Sequence, residues 1–190
     1  MNITQEFTVQ RPVEAVWSFF ADVPEVARCL PGAELTEDHG DGSYSGRVEA
    51  KLGPMTVAFD GKAVVTRDDA GHSGHIDGNG ADRRGGSRGR VKVDYRVEPA
   101  EGGTKVTVDA DVTLSGPAAQ FGRVGLIREM SSRLIGDFVA CLEAKLGAET
   151  EEAAASIEAG DVAGASLFFS SLWSTIADWF RRLFGGKKQL

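Results

Sequence analysis

In four runs between Tyr44 and Leu114 (44–52, 55–59, 91–97 and 106–114) the sequence alternates apolar and polar residues with a period of two, and from Ser115 to Leu146 the spacing changes to three and four. That single change of period calls for a sheet followed by one helix, because side chains share a face every second residue in a strand and every third or fourth in a helix. In SGPAAQFGRVGLIREMSSRLIGDFVACLEAKLG, Pro117 falls at the first helical turn, where its missing N–H is not needed. Leu126, Ile127, Met130, Leu134, Phe138, Cys141 and Leu142 form one broad apolar face. Arg123, Arg128, Glu129, Arg133, Asp137, Glu143 and Lys145 fall mostly on the other side, and Gly147 supplies the stop.

Upstream, Ile3, Phe7 and Val9 alternate as one half-buried strand. Pro12 then opens a short helix, PVEAVWSFFAD, and Pro24 ends it and begins a second turn, VPEVARCL, before Pro31-Gly32 breaks the chain. A meander follows. Tyr44, Gly46, Val48, Ala50 and Leu52 alternate with polar residues, Gly53-Pro54 turns, Met55, Val57 and Phe59 resume, and Asp68-Asp69-Ala70-Gly71 turns again. GHSGHIDGNGADRRGGSRGR is so rich in glycine that it reads as a bent, short strand and a loose turn. Val91, Val93, Tyr95 and Val97 restore a clear strand, and Val106 to Leu114 gives the last one. A sheet with one apolar face needs a cover, and the helix from Pro117 to Leu146 is the element long enough to supply it. Curled around that helix, the sheet leaves a space only partly filled, a pocket by architecture.

A chain of 190 residues, 42% hydrophobic, supports one core and an appendage. Its formal net charge of −7 works against nonspecific nucleic-acid binding, which needs clustered Lys and Arg. No charged-then-apolar leader opens the sequence, so a reducing cytoplasm with Cys29 and Cys141 as free thiols is the expectation.

Three stretches narrow the reading further: PVEAVWSFFADVPEVARCLPGAE at 12–34, GGSRGRVKVDYRVEPAEGGTKVTVDADVTLSG at 85–116, and AAQFGRVGLI at 118–127. The order of elements resembles the α+β helix-grip fold of the START-like (SRPBCC) superfamily. In that fold a curved antiparallel sheet, here of about seven strands, wraps a long C-terminal helix, with two short helices after strand one. The three stretches are similar to the carbon monoxide dehydrogenase G-subunit family, over residues 1 to about 146. The resemblance implies a non-catalytic accessory protein of a molybdenum-containing CO dehydrogenase or related hydroxylase, working at the cytoplasmic face of the cell membrane. It also implies a hydrophobic ligand, lipid or isoprenoid quinone, held in the cavity. The inward-pointing apolar residues Trp17, Phe20, Leu30, Met55, Phe59, Phe121, Met130, Leu134 and Phe138 are the candidates to line it, and each taken singly reads equally as core. An adaptor that recruits or matures the dehydrogenase without carrying a ligand is the alternative. A cyclase-like enzyme rests on fold analogy alone.

Beyond the domain, 147–165 reads as a flexible acidic linker rich in Ala, Glu and Gly. Residues 166–190 read as an amphipathic helix and a basic tail. Phe168, Phe169, Leu172, Trp173, Ile176, Trp179, Phe180, Leu183 and Phe184 occupy an arc of roughly 160°, wider than the stripe of about 100° on a core-facing helix. Arg181, Arg182, Lys187 and Lys188 suit anionic head groups. Asp178, the arginines and several hydroxyls argue against a span, leaving an interfacial helix or one seated in a protein groove.

Specific chemistry is sparse. His72 and His75 in HSGH lack the helix and the additional ligands of a metal site and read as an exposed hairpin. The glycines at 78, 80, 85 and 86 precede a strand, whereas a phosphate loop opens a helix. Arg83, Arg84, Arg88 and Arg90 suit either an acidic partner or lipid head groups, or are simply a solvated turn. Cys29 in CLPG either lines the pocket mouth or is a small buried apolar group.

Overall fold

The computed structural model describes residues 1–52, 55–121, 124–148 and 151–158. Strand β1 (Asn2–Val9) leads to helices α1 (Val13–Ala21) and α2 (Val23–Arg28), followed by β2 (Ala33–Asp38), β3 (Ser43–Leu52), β4 (Met55–Asp68), β5 (Ser73–Asp82), β6 (Ser87–Ala100) and β7 (Gly103–Ser115). A 3-10 turn (Pro117–Phe121) precedes α3 (Val124–Gly147), and a short α4 (Glu151–Ala155) comes last. The seven strands form one antiparallel sheet in the order β1-β7-β6-β5-β4-β3-β2. The pairings from β2 to β7 follow chain order, and β1 crosses to join β7, with Ile3 opposite Ala110 and Phe7 opposite Val106.

Period-two alternation sorts the faces. Ile3, Val65, Ile76, Val93 and Ala110 lie in register on the inner face, while Thr4, Thr66, His75, Asp94 and Asp109 line up on the outer one. Gly46, Gly61, Gly80 and Gly89 face one another across β3 to β6. A Cβ at Gly61 would run into the carbonyl oxygen of Asn79, and one at Gly46 would lie 2.8 Å from that of Glu34. Removing side chains along this row lets neighbouring backbones close up and the sheet curl, as glycine kinks do in curved sheets.

Several expectations are corrected. The glycine-rich stretch is no short, bent strand: β5 spans ten residues and pairs with both β4 and β6. Its glycines sit on the inner face, where Tyr95 lies across Gly74, so pairing on both sides overrides its weak propensity. The helix does not begin at Pro117; a 3-10 turn fills Pro117–Phe121, and the Ala118 N–H donates to the Ser87 hydroxyl at 3.0 Å. Before Tyr44, β2 forms the edge of the sheet, with a register shift between Leu35 and Glu37. Within the stretch read as a linker, Glu151–Ala155 form α4 and Ile157 packs against the main core.

Two further corrections concern α3. Cys29 and Cys141 are not free thiols; they form a disulfide that joins the C-cap of α2 to α3 across 112 residues of sequence. Lys145 is not on the solvent side. Its side chain is 3% exposed and its ammonium donates to Glu25 Oε2 at 2.6 Å and to the Ala154 carbonyl at 2.9 Å. A lysine buried this deeply persists only because both partners are present.

Candidate functional site

Among the described residues the interior shows two buried clusters. In the larger, α1, the C-terminal half of α3 and one end of the sheet meet: Phe138 touches Phe7 and Phe19 at ring-centroid distances of 6.2 Å and Phe20 at 5.9 Å. Phe20 stacks on Tyr95 at 5.2 Å, and burial pushes the Tyr95 phenol pKa up. Trp17 closes this end, its indole N–H donating to Asp69 at 3.1 Å while Arg67 lies 5.6 Å over the ring and donates to Asp69 at 2.8 Å. The smaller cluster, Val57 and Ala118 with Ala50 and Phe59 against them, sits under the 3-10 turn.

Between the two clusters the inner face is apolar but only half-buried. Ile3, Val65, Val91, Val93, Ala110 and Val112 all keep part of their surface accessible. Helix α3 records the same transition along one stripe. Phe138, Cys141 and Leu142 are 4%, 0% and 0% exposed, yet Leu134, one turn earlier on the same side, is 38% exposed. Exposure along this stripe therefore rises from the Phe138 end toward Leu134, and the half-buried residues of the inner face lie between the two clusters. Gln5 is the polar exception on the inner face of β1, between Ile3 and Phe7, and among the described residues its amide makes no hydrogen bond.

The sequence candidates divide accordingly. Trp17, Phe20 and Phe138 lie in the large core, Leu30 packs against it, and Phe59 packs in the smaller cluster. Leu134 is exposed. The side chains of Met55, Phe121 and Met130 and the whole of 159–190 lie outside those described. Small aliphatic residues of β1, β4, β6 and β7 make up the half-buried stretch of the inner face. Their signal was parity in the alternation, not size.

The outer face has a different chemistry. Arg90 donates to Asp77 at 2.8 and 3.3 Å, and these bonds hold the Asp77 carboxyl below its usual range. His75 pairs with Asp94 at 2.7 Å, whereas His72 lies 5.4 Å from the Trp17 ring, so the two histidines address different partners. Arg83, Arg84 and Arg88 are exposed at the β5–β6 turn. Two surface grooves of about 430 and 520 Å³ lie on this face and are lined mainly by polar residues such as Arg88, Asn79, Asp94 and Asp109. Among the described residues no three His, Cys, Asp or Glu converge as a metal site, and no helix is long and apolar enough to cross a membrane.

A seven-stranded antiparallel sheet curled on a C-terminal helix, with two short helices after β1, defines the START-like helix-grip class. Solved structures share it. A conserved protein from Geobacillus kaustophilus superposes with a TM-score of 0.67 at 19% identity, covering 77% of this chain and 95% of its own. A Chromobacterium violaceum protein gives 0.53 at 18% identity (75% and 96% covered), and Ara h 8.0201 gives 0.50 at 16% identity (77% and 97%). At such identities the likeness is one of fold. The sequence matches the CoxG family, the G subunit of carbon monoxide dehydrogenase, over residues 6–147, and the chain belongs to that family. No curated protein matches it.

Proposed function

We propose that this protein is a non-catalytic accessory component of a molybdenum-containing CO dehydrogenase that carries a hydrophobic molecule in the cleft between its two clusters. The observation that carries the reading is the exposure of Leu134 on the stripe whose next turns are sealed. An apolar wall accessible to solvent is a binding surface more often than a resting state. The ligand is an isoprenoid quinone or a lipid: a long apolar chain matches the aliphatic wall, and a head-group carbonyl can accept a hydrogen bond from the Gln5 amide. Residues 166–190 hold the protein at the cytoplasmic membrane face, aromatic side toward the acyl chains and Arg181, Arg182, Lys187 and Lys188 toward anionic head groups.

The test is an organic extract of the purified full-length protein analysed by mass spectrometry, with flotation on anionic vesicles alongside. A quinone or lipid co-purifying in stoichiometric amount is expected, and deletion of residues 166–190 is expected to abolish flotation while leaving the extract unchanged. An empty cleft that takes up no added quinone rejects the carrier and leaves a recruitment adaptor.

A further inference from the structure

Around the disulfide, α2, α3 and α4 meet in a polar cluster that ligand carrying does not use. Glu25 is its hub, accepting from Lys145 at 2.6 Å and from Arg28 at 2.9 Å. Both cations also reach α4, Lys145 to the Ala154 carbonyl at 2.9 Å and Arg28 to the Ala155 carbonyl at 3.2 Å. These are the carbonyls at the end of a five-residue helix, which have no partner within the helix and favour positive charge. So short a helix does not hold itself, so α4 depends on this clamp and on Ile157. The clamp depends in turn on where α2 sits. None of the residues of α2 is fully buried, although its C-cap Cys29 is 0% exposed and bonded to Cys141, one turn before Lys145.

We propose that Cys29–Cys141 is a redox latch controlling whether the root of the C-terminal extension is held on the domain. The inference goes beyond the carrier reading and stands without it. With the bond closed, α2 is pinned to α3, Glu25 stays over Lys145, and the two cations grip α4. The bond opens when a dithiol reductant enters. One of its thiolates attacks a cysteine sulfur, the S–S bond breaks into a mixed disulfide, and the second thiol closes the reductant into its own disulfide. Two electrons and two protons are thereby delivered to Cys29 and Cys141. Both sulfurs are buried, so attack waits on local opening of α2, the kind of sub-global motion open to a short, lightly packed element. Once the bond is cut, an α2 that swings away takes Glu25 with it. Lys145 cannot remain buried without its carboxylate, so it turns to solvent and releases the Ala154 carbonyl. Residues 151–158 then detach, and the chain that continues to residue 190 is freed at its root.

Hydrogen exchange of the full-length protein, oxidised and after dithiothreitol, tests this. Reduction is expected to speed exchange of the Ser156 and Ile157 amides, which donate to Glu152 and Ala154, by about tenfold or more while β6 and β7 amides hold. The Cys29→Ala/Cys141→Ala variant should exchange fast there with or without dithiol, and Glu25→Gln should do so with the bond intact. The latch is overturned if residues 151–157 stay protected when alkylation shows both thiols free. It is equally overturned if the sheet amides accelerate in step, which makes the bond a global staple. Failure of the two cysteines to pair under diamide, or a Glu25→Gln variant with α4 still protected, also overturns it.

Discussion

Phe138→Ala is expected to cost about 3–5 kcal/mol of stability, the range for truncating a buried aromatic residue. Phe138 is 4% exposed and its ring meets three others, Phe7 from β1 and Phe19 and Phe20 from α1, within 6.2 Å. It is the contact through which α1 and α3 share one core. Truncation leaves a cavity bounded by a disulfide on one side and a paired sheet on the other, so little can collapse into it. For a domain of this size the loss lowers the thermal midpoint by about 10 °C or more. Calorimetry on the oxidised full-length protein measures it. A shift of one or two degrees would mean that the large cluster is loosely packed.

Leu134→Trp, one turn earlier on the same stripe, is expected to do the reverse. At 38% exposure Leu134 has open space beside it, so a larger ring meets no crowded neighbour and stability changes by less than about 1 kcal/mol. The indole instead occupies the cleft, and affinity for an isoprenoid quinone should fall about tenfold or more, equivalent to about 1.4 kcal/mol per decade. Titration of the protein's intrinsic tryptophan fluorescence with a short-chain quinone gives the affinity, and calorimetry gives the stability. Unchanged binding would place the ligand elsewhere. The contrast between neighbouring turns is the useful feature: two residues on one helical face, one buried and one exposed, with opposite expected effects on stability and on binding.

Most of the fold was legible because period-two alternation is a local signal and the helix that follows has its own. What was not legible depended on distant partners. Lys145 looks like a surface lysine beside Glu143, and nothing within a helical turn reveals Glu25, 120 residues away. Cys29 and Cys141 likewise meet only after β1 has crossed to β7 and α3 has folded back over the sheet. Strand β5 looked broken because glycine carries no β preference, yet its glycines are what permit close approach of β4 and of the Tyr95 ring. Within the candidate site, large aromatic residues carry the stronger local signal. Trp17, Phe20 and Phe138 lie in the large core, where bulk maximises contact, and the half-buried stretch of the inner face is formed by Ile3, Val65, Val93 and Val112. Only the stacking of strands in register distinguishes these valines and isoleucines from any others.

Ligand binding in a cleft between the two clusters, open at Leu134, is tested most directly by methyl-resolved NMR of the full-length protein during titration with a short-chain isoprenoid quinone. Saturable shifts are expected at Leu134, Ile3, Val65, Val93 and Val112, with Val16, Val97 and Val106 of the sealed core unmoved. Shifts confined to the outer-face Val64, or none at saturating quinone, would contradict it.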